Sequence, residues 1–358
     1  MKVRLATEND NPRLLELARS APMESHLTVN VDRAPDYFRL ANLQGPDARV
    51  FVAEQDGIIS GAIGCCLRHV RLLGRPVIIG YIGGIKVAAA ARKGLASFRL
   101  MNAVAEHLRS TPIELAIVIT MESNEAMAPI LAGRVGMPPF HQLTQFEVDY
   151  IRPILRPGIS GRFAIRPMRA DDLEDVAALF GNFFKDYGLT VDWTPEYLAT
   201  ILTGQPDFTY ENFSVAEQAG HIVAAVSWWD QSHFKKTIVE RFGGSLKTLA
   251  AILKPFKILP AEGEALRELN LRHIVYSEGF SLAARDIIRQ IIRTKRSEYP
   301  LFRVGFQKQS MPVELLSGLP RLKVNLNCYV AFKYQDRESP EIITALRQNK
   351  IWEDLSLH

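Results

Sequence analysis

Apolar and polar residues alternate in two blocks that lie 163 residues apart. The first, from Phe51, reads FVAEQDGIISGAIG, and the second, from Ser214, reads SVAEQAGHIVAAVS. Val52-Ala53-Glu54-Gln55 aligns with Val215-Ala216-Glu217-Gln218, and Gly57 and Gly220 follow at the same distance. A period of two around a glycine that accepts positive φ predicts strand, tight turn, strand in each block. Upstream, VRLATENDNPRLLELA from Val3 parallels IRPMRADDLEDVAALF from Ile165. Each reads as a short strand, an acidic turn and an amphipathic helix. Leu14, Leu15 and Leu17 mark the apolar face of one helix, and Leu173, Val176, Ala177 and Phe180 that of the other. Asp10 and Asp171 or Asp172 stand where N-caps belong. Downstream, IELAIVITMESN from Ile113 parallels YPLFRVGFQKQS from Tyr299, and VGMPPFHQLTQFEV from Val135 parallels SGLPRLKVNLNCYV from Ser317.

Each half therefore reads strand, helix, two or three strands, helix, strand, helix, strand. The pattern predicts an α/β (α+β) protein of two tandem domains, each a mixed, mostly antiparallel sheet flanked by helices. The expected domains are 1–152 and 163–338, joined by the Pro/Gly-rich stretch RPILRPGISGR, with a helical tail over 339–358. Residues 231–270 have no counterpart in the first half and are expected to form a mainly helical insertion over a cleft or the domain interface.

Composition narrows the setting. The 358 residues are 47% hydrophobic and 23% charged, enough for two ordinary cores. Three cysteines, two of them adjacent at Cys65 and Cys66, argue against a disulfide framework and for a reducing, cytoplasmic setting. The start, MKVRLATEND, lacks a secretory apolar run, and no stretch is long and apolar enough to span a membrane. The net charge of +4 is spread without a basic stripe, which suits an anionic small ligand and gives no support to nucleic-acid binding. No His/Cys/Asp/Glu cluster has metal-ligand spacing, so no metal is expected.

The chemistry concentrates at residues 78–100, IIGYIGGIKVAAAARKGLASFRL. An apolar, glycine-containing strand runs into a helix whose Leu100, Val104 and Leu108 share one face. Between them, Gly94 turns without steric cost, Ala96 and Ser97 leave room for a ligand, and Arg92 and Lys93 add positive charge. The first N–H groups of a helix are unpaired and its dipole favours an anion there, so the junction suits a pyrophosphate.

This segment resembles motif A of the GNAT superfamily of N-acetyltransferases: a strand ending in valine, then Gln/Arg-x-x-Gly-x-Gly/Ala, then a helix. Val87 ends the strand, with Gly94 and Ala96 at the small positions, while the opening basic position falls on Ala91 and the arginine moves to Arg92. The resemblance implies an acetyl-CoA site. Ile85, Lys86 and Val87 would pair with the pantetheine arm, and Arg92, Lys93, Gly94, Leu95, Ala96 and Ser97 would hold the pyrophosphate. Asn124, after the next strand, would touch the cofactor arm or cap the following helix. The second half lacks this loop, with 22 residues from Glu278 to Tyr299 against 26 from Ala88 to Ile113. It reads as a degenerate copy that supports the first and lines the substrate cleft.

Transfer of an acyl group to an amine needs a group to take the amine proton, a donor to the carbonyl and a proton for the thiolate. Where many members carry a glutamate, six residues before the valine, this chain has Tyr81, which could orient a water or simply line the core. The family's usual tyrosine acid is replaced by Ala132, shortly before Gly136-Met137. Glu122, at the end of a strand, and His69, within one, are the other acid–base candidates; each could equally be structural. Trp228 and Trp229 belong to packing or to the cleft. The reading is an N-acetyltransferase acting on a small amine, possible as a homodimer. A non-catalytic acyl-CoA-binding protein and an acyltransferase for longer acyl-CoAs are the alternatives.

Overall fold

The computed structural model describes residues 1–22, 27–91, 95–133, 138–243, 261–308, 310–333 and 339–358. The first half runs β1 (Lys2–Leu5), α1 (Asn11–Ser20), β2 (Leu27–Asp32), α2 (Tyr37–Gln44), β3 (Arg49–Gln55), β4 (Ile58–Leu72), β5 (Arg75–Val87), α3 (Ala96–Arg109), β6 (Leu115–Met121), the single turn α4 (Ala128–Leu131) and β7 (His141–Ile151). The second runs β8 (Ala164–Pro167), α5 (Leu173–Phe184), β9 (Tyr187–Thr190), α6 (Pro195–Gly204), β10 (Phe213–Gln218), β11 (His221–Trp229), β12 (Lys236–Phe242), β13 (Glu268–Tyr276), α7 (Ser281–Lys295), β14 (Leu301–Gln307) and β15 (Arg321–Phe332). A tail follows: α8 (Ser339–Gln348), β16 (Lys350–Ile351) and a 3-10 turn, Leu355–Leu357.

The repeat is physical as well as textual. The hairpin turns at Asp56-Gly57 and Ala219-Gly220 both have positive φ at each central residue, matching the twist of their strands. Arg4 binds Asp10 at 2.7 Å and Glu54 at 2.8 Å, and in the second half Arg166 binds Asp172 and Glu217 in the same way. These arginines hold both aspartates below the usual carboxylate range. Neither aspartate caps its α-helix from the side chain. Each instead accepts from the backbone of the preceding turn, at Thr7 and Arg169, because the arginine draws the carboxylate that way.

Strand order through the main sheet is β1-β3-β4-β5-β6-β15-β7-β14-β13-β11-β10-β8. Pairing is antiparallel except at β5–β6, β13–β14 and the short β9–β16 pair. The last long strand, β15, thus lies between β6 and β7, with Cys328 opposite both Ile119 and Thr144. One face of the sheet is covered by α3 and α7, which bury Leu100 and Val104, and Ile287 and Ile288, completely. Each such side chain stabilises by about 1.5–3 kcal/mol. On the opposite face the tail packs against both halves, with Leu346, Ile351 and Leu355 buried.

Two expectations change. Within 231–270, Lys236–Phe242 is a strand rather than helix, because it pairs with β2 in a separate two-stranded ribbon; residues 244–260 lie outside those described. The tail is helical over α8 and the 3-10 turn Leu355–Leu357, with the short strand β16 between them.

Leu355 lies directly on Gly305, where an added Cβ would stand 2.6 Å from its Cδ1 and 2.7 Å from its Cβ. Gly305→Ala is expected to lower stability by about 1–3 kcal/mol through overpacking. In a denaturant-unfolding double-mutant cycle, Gly305→Ala combined with Leu355→Gly, which removes both contacting atoms, should cost less than the two separate losses.

Candidate functional site

The two central parallel strands of the first half part company. β5 and β6 are in register from Ile79↔Leu115 to Ile82↔Val118, and their pairing stops there. A bulge causes this: Ala62 pairs with Lys86 and Gly64 with Gly83, so β5 carries one extra residue between those pairs. Gly84, at φ 64°, supplies the left-handed conformation that the bulge needs. Ile85, Lys86 and Val87 lie beyond it, on the β5 edge of the opening, with the Lys86 ammonium turned to the Ala21 carbonyl at 2.9 Å. At its far end stands the start of α3. Leu95 occupies the N-cap position without a side-chain cap, Ala96 is buried and Ser97 is half-buried. Arg92, Lys93 and Gly94 lie outside the described residues, as do Gly136 and Met137.

The second half opens in the same way and is then filled. β13 and β14 pair from Glu268↔Leu301 to Leu271↔Val304. The equivalent bulge puts Arg272 and His273 at the registers held by Gly83 and Gly84 in the first half. His273 takes φ 52° without being glycine, a strained choice. It is held by Ser227 Oγ at 2.9 Å and by stacking on Phe213. Arg272 donates to Gln205 at 2.7 Å and is ion-paired with Asp354 of the tail. With Leu355 seated on Gly305, a cavity of about 90 Å³ remains, lined in part by Arg272, His273, Phe306 and Asp354.

Tyr81 is buried on the inner face, its hydroxyl folded over Gly83 so that a Cβ there would be 2.5 Å from the oxygen. It is the head of a chain of contacts. Tyr81 meets His358 Nδ1 at 2.9 Å, His358 Nε2 meets Glu353 at 3.0 Å, and Glu353 binds Arg68 at 2.6 Å. Arg68 closes the loop by lying over the Tyr81 ring at 4.0 Å. Burial drives the Tyr81 phenol well above its ordinary value, so it does not ionise by itself near neutral pH. Burial also raises Glu353, but Arg68 and His358 outweigh it and keep the carboxyl ionised. His358 is lowered, chiefly by burial. A neutral imidazole against a carboxylate carries its proton on Nε2, which leaves Nδ1 to accept from Tyr81; the tautomer is assigned from this network.

The other sequence-derived candidates are not brought to this point. Tyr81 pairs across the ladder with Cys66, so His69, three residues on, faces the opposite side and is exposed. Glu122 lies five residues along from the partner of Tyr81 on β6, roughly 16 Å away. It is exposed, and hydrogen bonds from Asn325 and Gln145 lower its pKa. Asn124 is exposed and donates to Thr120 at 3.1 Å; it occupies an N-cap position without capping. Ala132 provides no proton donor. Trp229 is fully buried in the core, and Trp228 lies under Lys295. Burial pushes the Cys65 thiol up to about 12 and raises that of Cys66, which makes poor nucleophiles of both.

Arg68, Arg272, Glu353, Asp354 and His358 are the residues that sequence reading passed over. Arg68 alone left a trace. It falls in phase with Cys66, Val70 and Leu72 on an otherwise apolar face of β4. His273 and His358 are both held neutral, chiefly by burial, below the ordinary histidine value near 6.5. The unfolded chain therefore binds protons first on acidification, and stability should fall as pH drops below about 6.5. Denaturant midpoints compared at about pH 7.5 and 5.5 should show this loss, and His358→Gln should make it smaller.

No protein-family model matches the chain, and no curated protein matches it. The fold is similar to that of Saccharomyces cerevisiae N-myristoyltransferase with bound myristoyl-CoA, at 13% identity and a TM-score of 0.63, covering 93% of this chain and 83% of that one. It is also similar to an Enterococcus faecalis protein of unknown function described as a probable N-acyltransferase. There the identity is 10% and the TM-score 0.54, with 93% of this chain and 72% of that one covered. The chain has the tandem GNAT-like fold, a large mixed sheet flanked by helices.

Proposed function

We propose that the chain is an acyl-CoA-dependent N-acyltransferase with its acyl-CoA site in the first half. The observation that carries this reading is the opening between β5 and β6: made by a glycine bulge, it leads to a helix start without a side-chain cap. An extended pantetheine arm fits along Ile85–Val87, and a pyrophosphate fits at the start of α3. The second opening is a poor counterpart, because Arg272, His273 and Leu355 take up its space. We read the second half and the tail as support for the first and as a wall of the acceptor cleft.

The thioester supplies an activated acyl carbon and a thiolate leaving group. The chain's own part is to receive the amine proton. Tyr81 places its oxygen at the bulge and its proton on the path to His358 Nδ1. As the amine attacks, its proton passes to the Tyr81 oxygen while the Tyr81 proton passes to His358. Glu353 stabilises the imidazolium that results, and Arg68 keeps Glu353 ionised and oriented. With Ala132 at the family's acid position, the thiolate is protonated by water.

Acetyl-CoA is the donor we infer from the motif; the resemblance to a protein that binds myristoyl-CoA makes chain length the variable to test. Calorimetry with acetyl-, octanoyl- and myristoyl-CoA is expected to give binding by at least one. Gly94→Leu should weaken it about tenfold or more, whereas Gly279→Asn, at the equivalent turn of the second half, should leave it nearly unchanged. Absence of binding by all three would sink the proposal. Tyr81→Phe is expected to lower kcat about 10²-fold or more with little change in the KM for acyl-CoA, measured by thiol release.

A further inference from the structure

A second feature of the inner face bears on the acceptor. β2 and β12, one from each half, pair with Asp32 opposite Lys236. One step further along this antiparallel ribbon, Arg33 and Lys235 come together over the middle of the sheet. Arg33 is nine-tenths buried. Its guanidinium lies over the Tyr37 ring at 4.6 Å, and its Nη2 stands 3.1 Å from the position a Cβ would take on Gly84. Among the described residues it has no hydrogen bond and no ion pair.

None of the carboxylates of the neighbourhood bonds to it among the described residues. Glu353 serves Arg68 and His358, and Asp354 serves Arg272. Glu268 accepts from Thr237 at 3.0 Å through Oε1 while its buried Oε2 has no hydrogen-bond partner, and Asp32 accepts from the Ala34 backbone and faces Arg19. The neighbouring cation is Lys235, whose ammonium donates to the Ser356 carbonyl at 2.7 Å and to the backbone oxygen of His358, the last residue of the sequence, at 2.5 Å. Burial, with Arg303 and Arg33 nearby, presses its pKa down to about 7. A buried guanidinium without a counter-charge is costly, and a ligand carboxylate would supply the two acceptor oxygens its fork matches.

We infer that the acceptor is an amine that carries a carboxylate, of the amino-acid type, and that Arg33 binds that carboxylate. The word acceptor rests on the acyltransferase reading; the anion site rests on Arg33 itself. Position sets the class of molecule. The Tyr81 hydroxyl covers Gly83 and Arg33 covers Gly84, adjacent residues of one bulge. A carboxylate on Arg33 and an amine at Tyr81 are therefore only a few bonds apart. A CoA phosphate is a poor alternative occupant: the start of α3 lies beyond Val87, itself about 10 Å along the strand from Gly84.

Calorimetry on the full chain with free L-amino acids and their α-carboxamides tests this. At least one amino acid is expected to bind about tenfold or more tightly than its carboxamide. Arg33→Gln should bring the two affinities together, and Arg33→Lys should restore part of the difference. Equal affinities throughout the panel in the wild type, no binding by any carboxylate, or a preference that survives Arg33→Gln overturns the inference. If Arg33→Gln does not fold, the wild-type comparison alone decides. Acyl-CoA titrated into the same protein is a separate arm. Its failure alongside a retained carboxylate preference removes the acyltransferase reading and leaves the anion site standing.

Discussion

The placement of β15 between β6 and β7 is the constraint on which the candidate site depends. A strand that leaves one neighbour strands its backbone N–H and C=O groups unless another takes them up. Ile119–Met121 of β6 no longer pair with β5, yet they stay in ladder with Leu326–Cys328 of β15. In the second half, Gly305–Gln307 of β14 leave β13 and remain paired with Phe146–Val148 of β7. The exchange of last strands makes one wall of each opening rigid. The bulge on the other wall can then turn away without loss of the sheet.

The two halves share a scaffold and differ at the bulge. The Arg–Asp–Glu arrangement at Arg4 and Arg166 is kept, since it ties the first strand and the first turn to the hairpin in both. At the bulge they diverge. Gly83-Gly84 leave backbone and space, whereas Arg272-His273 fill the space and recruit the tail through Asp354. The same tail then delivers Glu353 and His358 to Tyr81 on the other side. The tail that fills the second opening is the one that packs on Tyr81.

Burying this many charges is costly unless each is paired. Arg68, Glu353, Asp354 and Arg272 satisfy one another across the groove between the halves. Such a network adds little net stability compared with apolar packing, but removing one member leaves another buried and unpaired. It therefore favours one arrangement of tail and halves over looser ones. Arg33 has no ion pair among the described residues, and it stands beside the bulge.

By itself the sequence determined what local periodicity encodes. The duplicated hairpins with Gly57 and Gly220, the helices that bury Leu100 and Ile287, and the strand-to-helix junction after Val87 were all legible, because each depends on residues a few positions apart. The strand at Lys236–Phe242 was not, since the strand that pairs along its length, β2, is some 200 residues earlier. For the same reason Tyr81 could be named but not its partners: His358 lies 277 residues away and meets it only after β15 has crossed between the halves and the tail has folded back. His69, Glu122 and Asn124 were plausible by residue type and fell elsewhere because a strand's alternation and length decide which face and which end a side chain reaches. Local pattern set the elements and the direction of the site; the exchanged strand, the bulge and the returning tail decided which side chains meet there, since contacts across the sheet depend on register, which no short stretch of sequence contains.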